Sequence, residues 1–180
     1  MLENRLDLRK VVAIAICLAG FIAFSGCSKD ENNSKGKIEY DGKSYELADG
    51  ICRFSATTVG EMKEYLPYTL TIMLRDAYLL NHFSFTILST ETSPRAMTYE
   101  LKSLTPDGDD LLNWWKNIIL VPNLVLGLNV YSGLPTVSLT ISVDGDTYEI
   151  KSNNIVTSDG KPVSIYYKGK LQISELSIGL

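Results

Sequence analysis

The chain is poor in the groups on which most catalytic and metal sites depend. Its 180 residues include one histidine, His82, and three cysteines. A Ser-His-Asp or Cys-His site would have to use His82. That residue follows Asn81 at a strand boundary, and no Gly-x-Ser-x-Gly run occurs anywhere. His82 therefore reads as structural or solvated, and the chain as a non-enzyme. Nothing singles out two acids as a glycosidase pair either. A zinc site needs several Cys, His or carboxylate ligands around one point, more than this inventory offers. Asp107-Gly108-Asp109-Asp110 gathers three carboxylates but lacks EF-hand spacing, and reads as a turn running into a helix cap. No metal and no cofactor is expected. Basic patches with interleaved aromatics are missing too, in a chain with a net charge of −4. Nucleic-acid binding rests largely on phosphate neutralisation, so no nucleic-acid partner is expected.

A long apolar run is also lacking near the start. Val11 to Phe24 is only 14 residues without a charge. A membrane span needs about 20, and runs of about 10–14 favour a signal peptide. Arg5, Arg9 and Lys10 precede the run, and the small residues Ser25 and Gly26 follow it before Cys27. A basic stretch, a short apolar stretch and small residues at a cut describe a secretory leader. The expected organisation is a cleaved leader over 1–26, a polar tether over 27–37 and a single domain over 38–180. Removing the leader takes away three basic and two acidic residues, leaving 14 against 19 and a net charge of −5. Cys17 leaves with it.

Phe24-Ser25-Gly26-Cys27 resembles the bacterial lipobox: a bulky apolar residue, two small residues, then cysteine. The resemblance implies signal removal before Cys27, a diacylglyceryl thioether on its sulfur, and acylation (palmitate or a similar chain) of its new amino end. Two or more acyl chains make a lasting membrane anchor where one binds only reversibly. Ser28-Lys29-Asp30-Glu31 resembles the Lys-plus-acidic export signal of Bacteroidota-type surface lipoproteins. That implies an outer-membrane protein facing the outside of the cell; a periplasm-facing anchor on a solvated tether is the alternative. With Cys27 acylated, only Cys52 remains, so no intramolecular disulfide can form. Cys52 reads as a buried, inert thiol.

From Ile38 onward the apolar period is two. Ile38 and Tyr40, then Tyr45 and Leu47, alternate with polar residues around Asp41-Gly42, a strong hairpin signal. Leu70, Ile72 and Leu74 share one face, as do Phe83, Phe85 and Ile87, then Tyr99 and Leu101. Val137, Leu139, Ile141 and Val143 form the clearest strand, turned by Asp144-Gly145 into Tyr148 and Ile150. Asp159-Gly160 turns the chain into a last strand, with Ile165, Tyr167, Leu171 and Ile173 on one side. Leu111, Trp114, Trp115 and Ile118 recur at helical spacing, which predicts one short helix near 109–118, stopped before Pro122. Leu124 to Tyr131 reads as one strand around Gly127. The expected fold is all-β: an antiparallel meander of about eight to ten strands. A barrel-like, lipocalin-like closure is preferred and a β-sandwich is the alternative.

Asp41-Gly-Lys-Ser-Tyr-Glu-Leu47, Val143 to Ile150, Ser158 to Lys161 and Tyr167 to Leu171 are similar to segments of small Bacteroidota-type lipoproteins of uncharacterised function. The resemblance implies a compact all-β domain on a lipid tether and carries over no site residue. Two function classes follow. One is a non-catalytic surface binding module for a glycan, a small hydrophobe or a protein, with Trp114 and Trp115 as possible ligand contacts. The other is a structural or accessory subunit of a larger envelope assembly. If the two indoles are buried, they instead plug one end of the domain.

Overall fold

The computed structural model describes residues 35–58, 63–101 and 117–176. The chain divides into two compact units, Met1–Asn33 and Ser34–Leu180, and every described residue belongs to the second. Cys27, the residues Phe24 to Gly26 before it and Ser28 to Glu31 after it lie outside the described residues. So do Trp114, Trp115 and Asp107 to Asp110.

The second unit is all-β, as the period-two pattern predicts. Its strands are β1 (Gly36–Tyr40), β2 (Lys43–Leu47), β3 (Asp49–Ala56), β4 (Tyr68–Arg75), β5 (Asn81–Ser89) and β6 (Met97–Leu101). They continue as β7 (Ile118–Ile119), β8 (Asn123–Leu126), β9 (Asn129–Ser132), β10 (Thr136–Asp144), β11 (Thr147–Val156) and β12 (Pro162–Glu175). The sheet starts at Gly36, two residues ahead of the expected Ile38, because Lys35 is already tied in. The Lys35 amide donates to the Leu47 carbonyl at 2.7 Å, and its carbonyl accepts from the Lys168 amide at 2.7 Å.

The strand order is β11-β10-β6-β7-β5-β4-β3-β12-β1-β2, and β11 also pairs with β12. This corrects the expected antiparallel meander in two ways. The order departs from the chain order, and β12–β3 and β6–β7 are parallel pairings within a mixed sheet. The β12–β3 pair is parallel because β2 runs through Ala48 into β3 without reversing, which places β3 beside the far half of β12. The pairings return to their start through β12 and β11, yet the result is not a clean barrel. The circuit thins to a single pair, Ile87 with Ile119, between β5 and β7. A hairpin of β8 and β9 branches from the free half of β5.

Two further expectations change. Asn117 is in a turn and Ile118 opens β7, so helix does not reach the end of the 109–118 segment; the rest lies outside the described residues. Leu124 to Tyr131 is two antiparallel strands, because Gly127, at φ 62°, turns the chain within it.

The core follows the alternation. Leu70, Ile72 and Leu74 of β4 are fully buried, as are Phe83, Phe85 and Ile87 of β5. Tyr99, Val137, Leu139, Ile141, Ile150 and Ile165 join them in one cluster. Burying each such side chain contributes about 1.5–3 kcal/mol. Cys52 is fully buried within the cluster, and burial pushes its thiol up to about 12. Tyr167 is fully buried too, and its hydroxyl donates to the Lys170 carbonyl at 2.8 Å. Val143 and Ile173 leave the pattern, at 39% and 40% exposed, where β10 and β12 run past the core.

A tyrosine-lined cleft as candidate functional site

Three turns converge at one place on the domain. The first closes β1 and β2. Asp41 and Gly42 take φ of 51° and 73°, the paired left-handed conformation of a type I′ turn, which matches the twist of the flanking strands. The pairing puts Tyr40 opposite Lys43 and Ile38 opposite Tyr45. Lys43 and Tyr45 therefore share the face of the buried Ile38 and Tyr40.

The second turn joins β11 to β12. Thr157 is fully buried, and its hydroxyl donates to Asp159 at 2.5 Å. The same oxygen accepts from the Lys161 amide at 3.1 Å. The Thr157 and Lys161 main chains also bond at 2.9 Å. These bonds hold the Asp159 side chain and the backbone at Lys161. Antiparallel pairing of Tyr40 with Val163 lays this turn against the first.

The third element is the β8–β9 hairpin. Asn129 pairs with Leu126 and Tyr131 with Leu124, so both share the face of those two buried leucines. Tyr131 reaches Tyr40 across the gap, with ring centroids 5.2 Å apart and planes tilted by 58°.

Two adjoining clefts result. One, of about 240 Å³, is lined by Tyr40, Asp41, Lys43, Tyr45, Leu126, Asn129, Tyr131, Asp159 and Lys161. Its accessible lining is almost wholly polar. The other, of about 550 Å³, runs along Glu39 to Ser44 and Lys161 to Ser164. Tyr40, Asp41, Lys43 and Lys161 belong to both.

The electrostatics are locally balanced. Lys161 Nζ lies 3.0 Å from Asp41 Oδ2 and 5.6 Å from the centre of the Tyr40 ring. The Asp41 contact raises the Lys161 pKa. Asp159 is held below the ordinary carboxylate value, first by the Thr157 hydroxyl, with Lys161 and Tyr40 adding to the effect. Tyr40 is raised well above the ordinary phenol value by its hydrogen bond with Tyr131, then by burial and the Asp159 charge. It therefore stays a neutral phenol that can both donate and accept. Its hydroxyl donates to Asp159 Oδ2 at 3.4 Å. The cleft presents three phenols, two carboxylates, two ammonium groups and an amide. That set can hydrogen-bond hydroxyl-rich molecules.

His82 stands apart from this cleft, half-buried on β5 between Arg75 and Val125. Desolvation lowers its pKa, partly offset by Asp76. Asp144 and Asp146 flank Gly145 in the β10–β11 turn, where Asp146 pairs with Lys170. Among the described residues, no three of His, Cys, Asp and Glu gather where they could hold a metal ion. Tyr40, Tyr131, Asp159 and Lys161 escaped the sequence reading. The Asp41-Gly42 and Asp159-Gly160 turns were legible, but their convergence needs the β1–β12 pairing. Tyr131 was hidden by reading the β8–β9 hairpin as one strand. Comparison of the chain with protein-family models, with curated proteins and with solved structures found no match.

Proposed function

We propose that the protein is a lipid-anchored, non-catalytic binding module of the outer membrane, exposed at the cell surface, which takes a saccharide in the Tyr40–Tyr131 cleft. The anchor rests on the leader, on Phe24-Ser25-Gly26-Cys27 and on the Ser28 to Glu31 segment. The observation that carries the saccharide is the pairing of Tyr40 and Tyr131 beside Asp41, Asp159, Lys43 and Lys161 in an open, polar cleft. The phenol hydroxyls, the charged groups and the amide match the hydroxyls of a saccharide. A small hydrophobe fits less well, because the cleft lining is polar while the apolar side chains are packed into the core.

A glycan array probed with the mature protein tests the saccharide. Binding to a defined saccharide class is the expected result, and an array with no signal above background contradicts it. The anchor is tested separately with Cys27→Ala. The variant accumulates as unlipidated precursor, and labelled palmitate still entering it would contradict the lipobox reading.

A further inference from the structure

A second surface lies outside the cleft. The turn between β4 and β5, residues 76–80, exposes Tyr78 at 82%, Leu79 at 53% and Leu80 at 56%. Beside it, the β8–β9 turn exposes Leu128 at 98%. The two turns are joined, since the Gly127 amide donates to the Leu80 carbonyl at 2.9 Å and to the Asn81 side-chain oxygen at 3.0 Å. Single exposed leucines are ordinary on protein surfaces, whereas four large apolar side chains on two adjoining turns form a patch. Ala77 to Leu80 and Gly127 to Ser132 carry no charge.

This tip is built to hold its shape. Asp76 accepts from the amides of Tyr78, Leu80 and Asn81 at 3.1, 2.9 and 3.1 Å, and from the Asn81 side-chain amide at 2.6 Å. Its carboxylate is thereby held against the backbone of the loop that carries the apolar side chains. Leu79 sits at φ 62°, a region that bulky side chains rarely adopt. The loop keeps that unfavourable backbone while its apolar side chains face water. A packed protein would be expected to fold them in, unless a second apolar phase covers them.

The start of the sheet identifies that phase. Lys35 bonds to Leu47, Ala48 bonds to Arg75, and Asp76 follows directly. The point where the chain joins the sheet therefore lies beside the base of the tip. Eight residue steps separate Lys35 from Cys27, a reach of at most roughly 29 Å. A lipid on Cys27 keeps Lys35, near the base of the tip, within that distance of the bilayer.

We propose that Tyr78, Leu79, Leu80 and Leu128 dip into the bilayer that holds the lipid of Cys27, and so set the orientation of the domain on the membrane. The inference rests on the lipid-anchor reading. Tyrosine suits the headgroup level, and the leucines the acyl boundary below it. The tip acts as a second, weaker contact that restricts the swing of the tethered domain.

The test uses the mature lipidated protein in vesicles of phosphatidylethanolamine and phosphatidylglycerol. A nitroxide is placed at Leu128→Cys or, as a control in the β11–β12 turn, at Ser158→Cys; Cys52 is buried and Cys27 acylated. Collisions with oxygen and with a water-soluble nickel chelate report depth. The expected ratio of oxygen to nickel collisions is several-fold higher at position 128 than at 158. Equal ratios in protein that floats with the vesicles would overturn the docking and leave the anchor intact. A label at 128 that is immobilised yet open to nickel points to a protein occupant and also overturns it. Protein that stays out of the vesicle fraction, with no lipid mass on Cys27, removes the anchor reading and the docking with it.

Discussion

At the scale of single residues, Asp159 connects the fold to the cleft. The Thr157 hydroxyl holds its carboxylate below the ordinary value of 3.8. A group whose folded pKa is depressed stabilises the fold above its unfolded pKa, and that contribution fades as pH falls through the folded value. Asp159→Asn should therefore lower the thermal midpoint at about pH 6, and the gap to the parent should close as pH drops well below about 3.8. Thermal melts of both proteins across that range check this, and a gap that persists unchanged in acid would speak against the assignment. The residue scale is also where the sequence was least informative. Ten tyrosines in a β-rich chain look alike in a linear pattern. Only their place in the fold separates Tyr167, sealed in the core, from Tyr131, which lines the cleft and meets Tyr40.

At the scale of elements, alternation was legible wherever a strand has one buried face. β4 and β10 match it almost residue for residue, whereas β5 also buries Ser84, Leu88 and Ser89. It failed where the chain departs from regular pairing. Gly127 looked like an interruption within a strand, because a lone glycine in an apolar run gives no sign of whether the chain reverses. Ala48 gave no turn signal, and indeed the chain does not turn there; it crosses from one edge of β1 to a place beside β12. That crossing makes the parallel β3–β12 pair, which local sequence does not encode. Gly36 belongs to the same junction. A Cβ at that position would lie 2.0 Å from the Tyr166 carbonyl oxygen and 2.7 Å from the Tyr167 Cα. Both are backbone atoms of β12, which cannot swing aside as a side-chain tip would. Gly36→Ala should destabilise the domain by about 3 kcal/mol, the upper part of the range for overpacked sites. Urea titrations measure it, and an unchanged midpoint would mean that β1 does not approach β12 this closely. The substitution should act through β1 and therefore also disturb the Tyr40 side of the cleft.

At the scale of the whole molecule, sequence and structure divide the account between them. The proposed leader, the lipobox-like Phe24 to Cys27 and the Ser28 to Glu31 segment are readings of the sequence alone, and they concern where the protein would work. The all-β character was legible because eight or more period-two segments permit little else. Closure was not, since the returning β11–β12 pairing and the thin β5–β7 contact depend on contacts distant in the chain. The candidate site was illegible for the same reason. It draws on three turns that only the complete sheet brings together, while the sequence pointed to Trp114 and Trp115 in a segment outside the described residues. The β8–β9 hairpin contributes to both the apolar tip and the cleft, and the proposed function turns on binding in the cleft. A glycan array probed side by side with the parent protein and with Tyr131→Ala tests it most directly. Tyr131 is partly buried and packs against the core, so a thermal melt of the variant checks that it is folded. The expected result is a defined saccharide signal for the parent that falls about tenfold in the variant, a loss of about 1.4 kcal/mol, the upper part of the range for one hydrogen bond. A parent with no signal, or a variant with the parent's full profile, would contradict it.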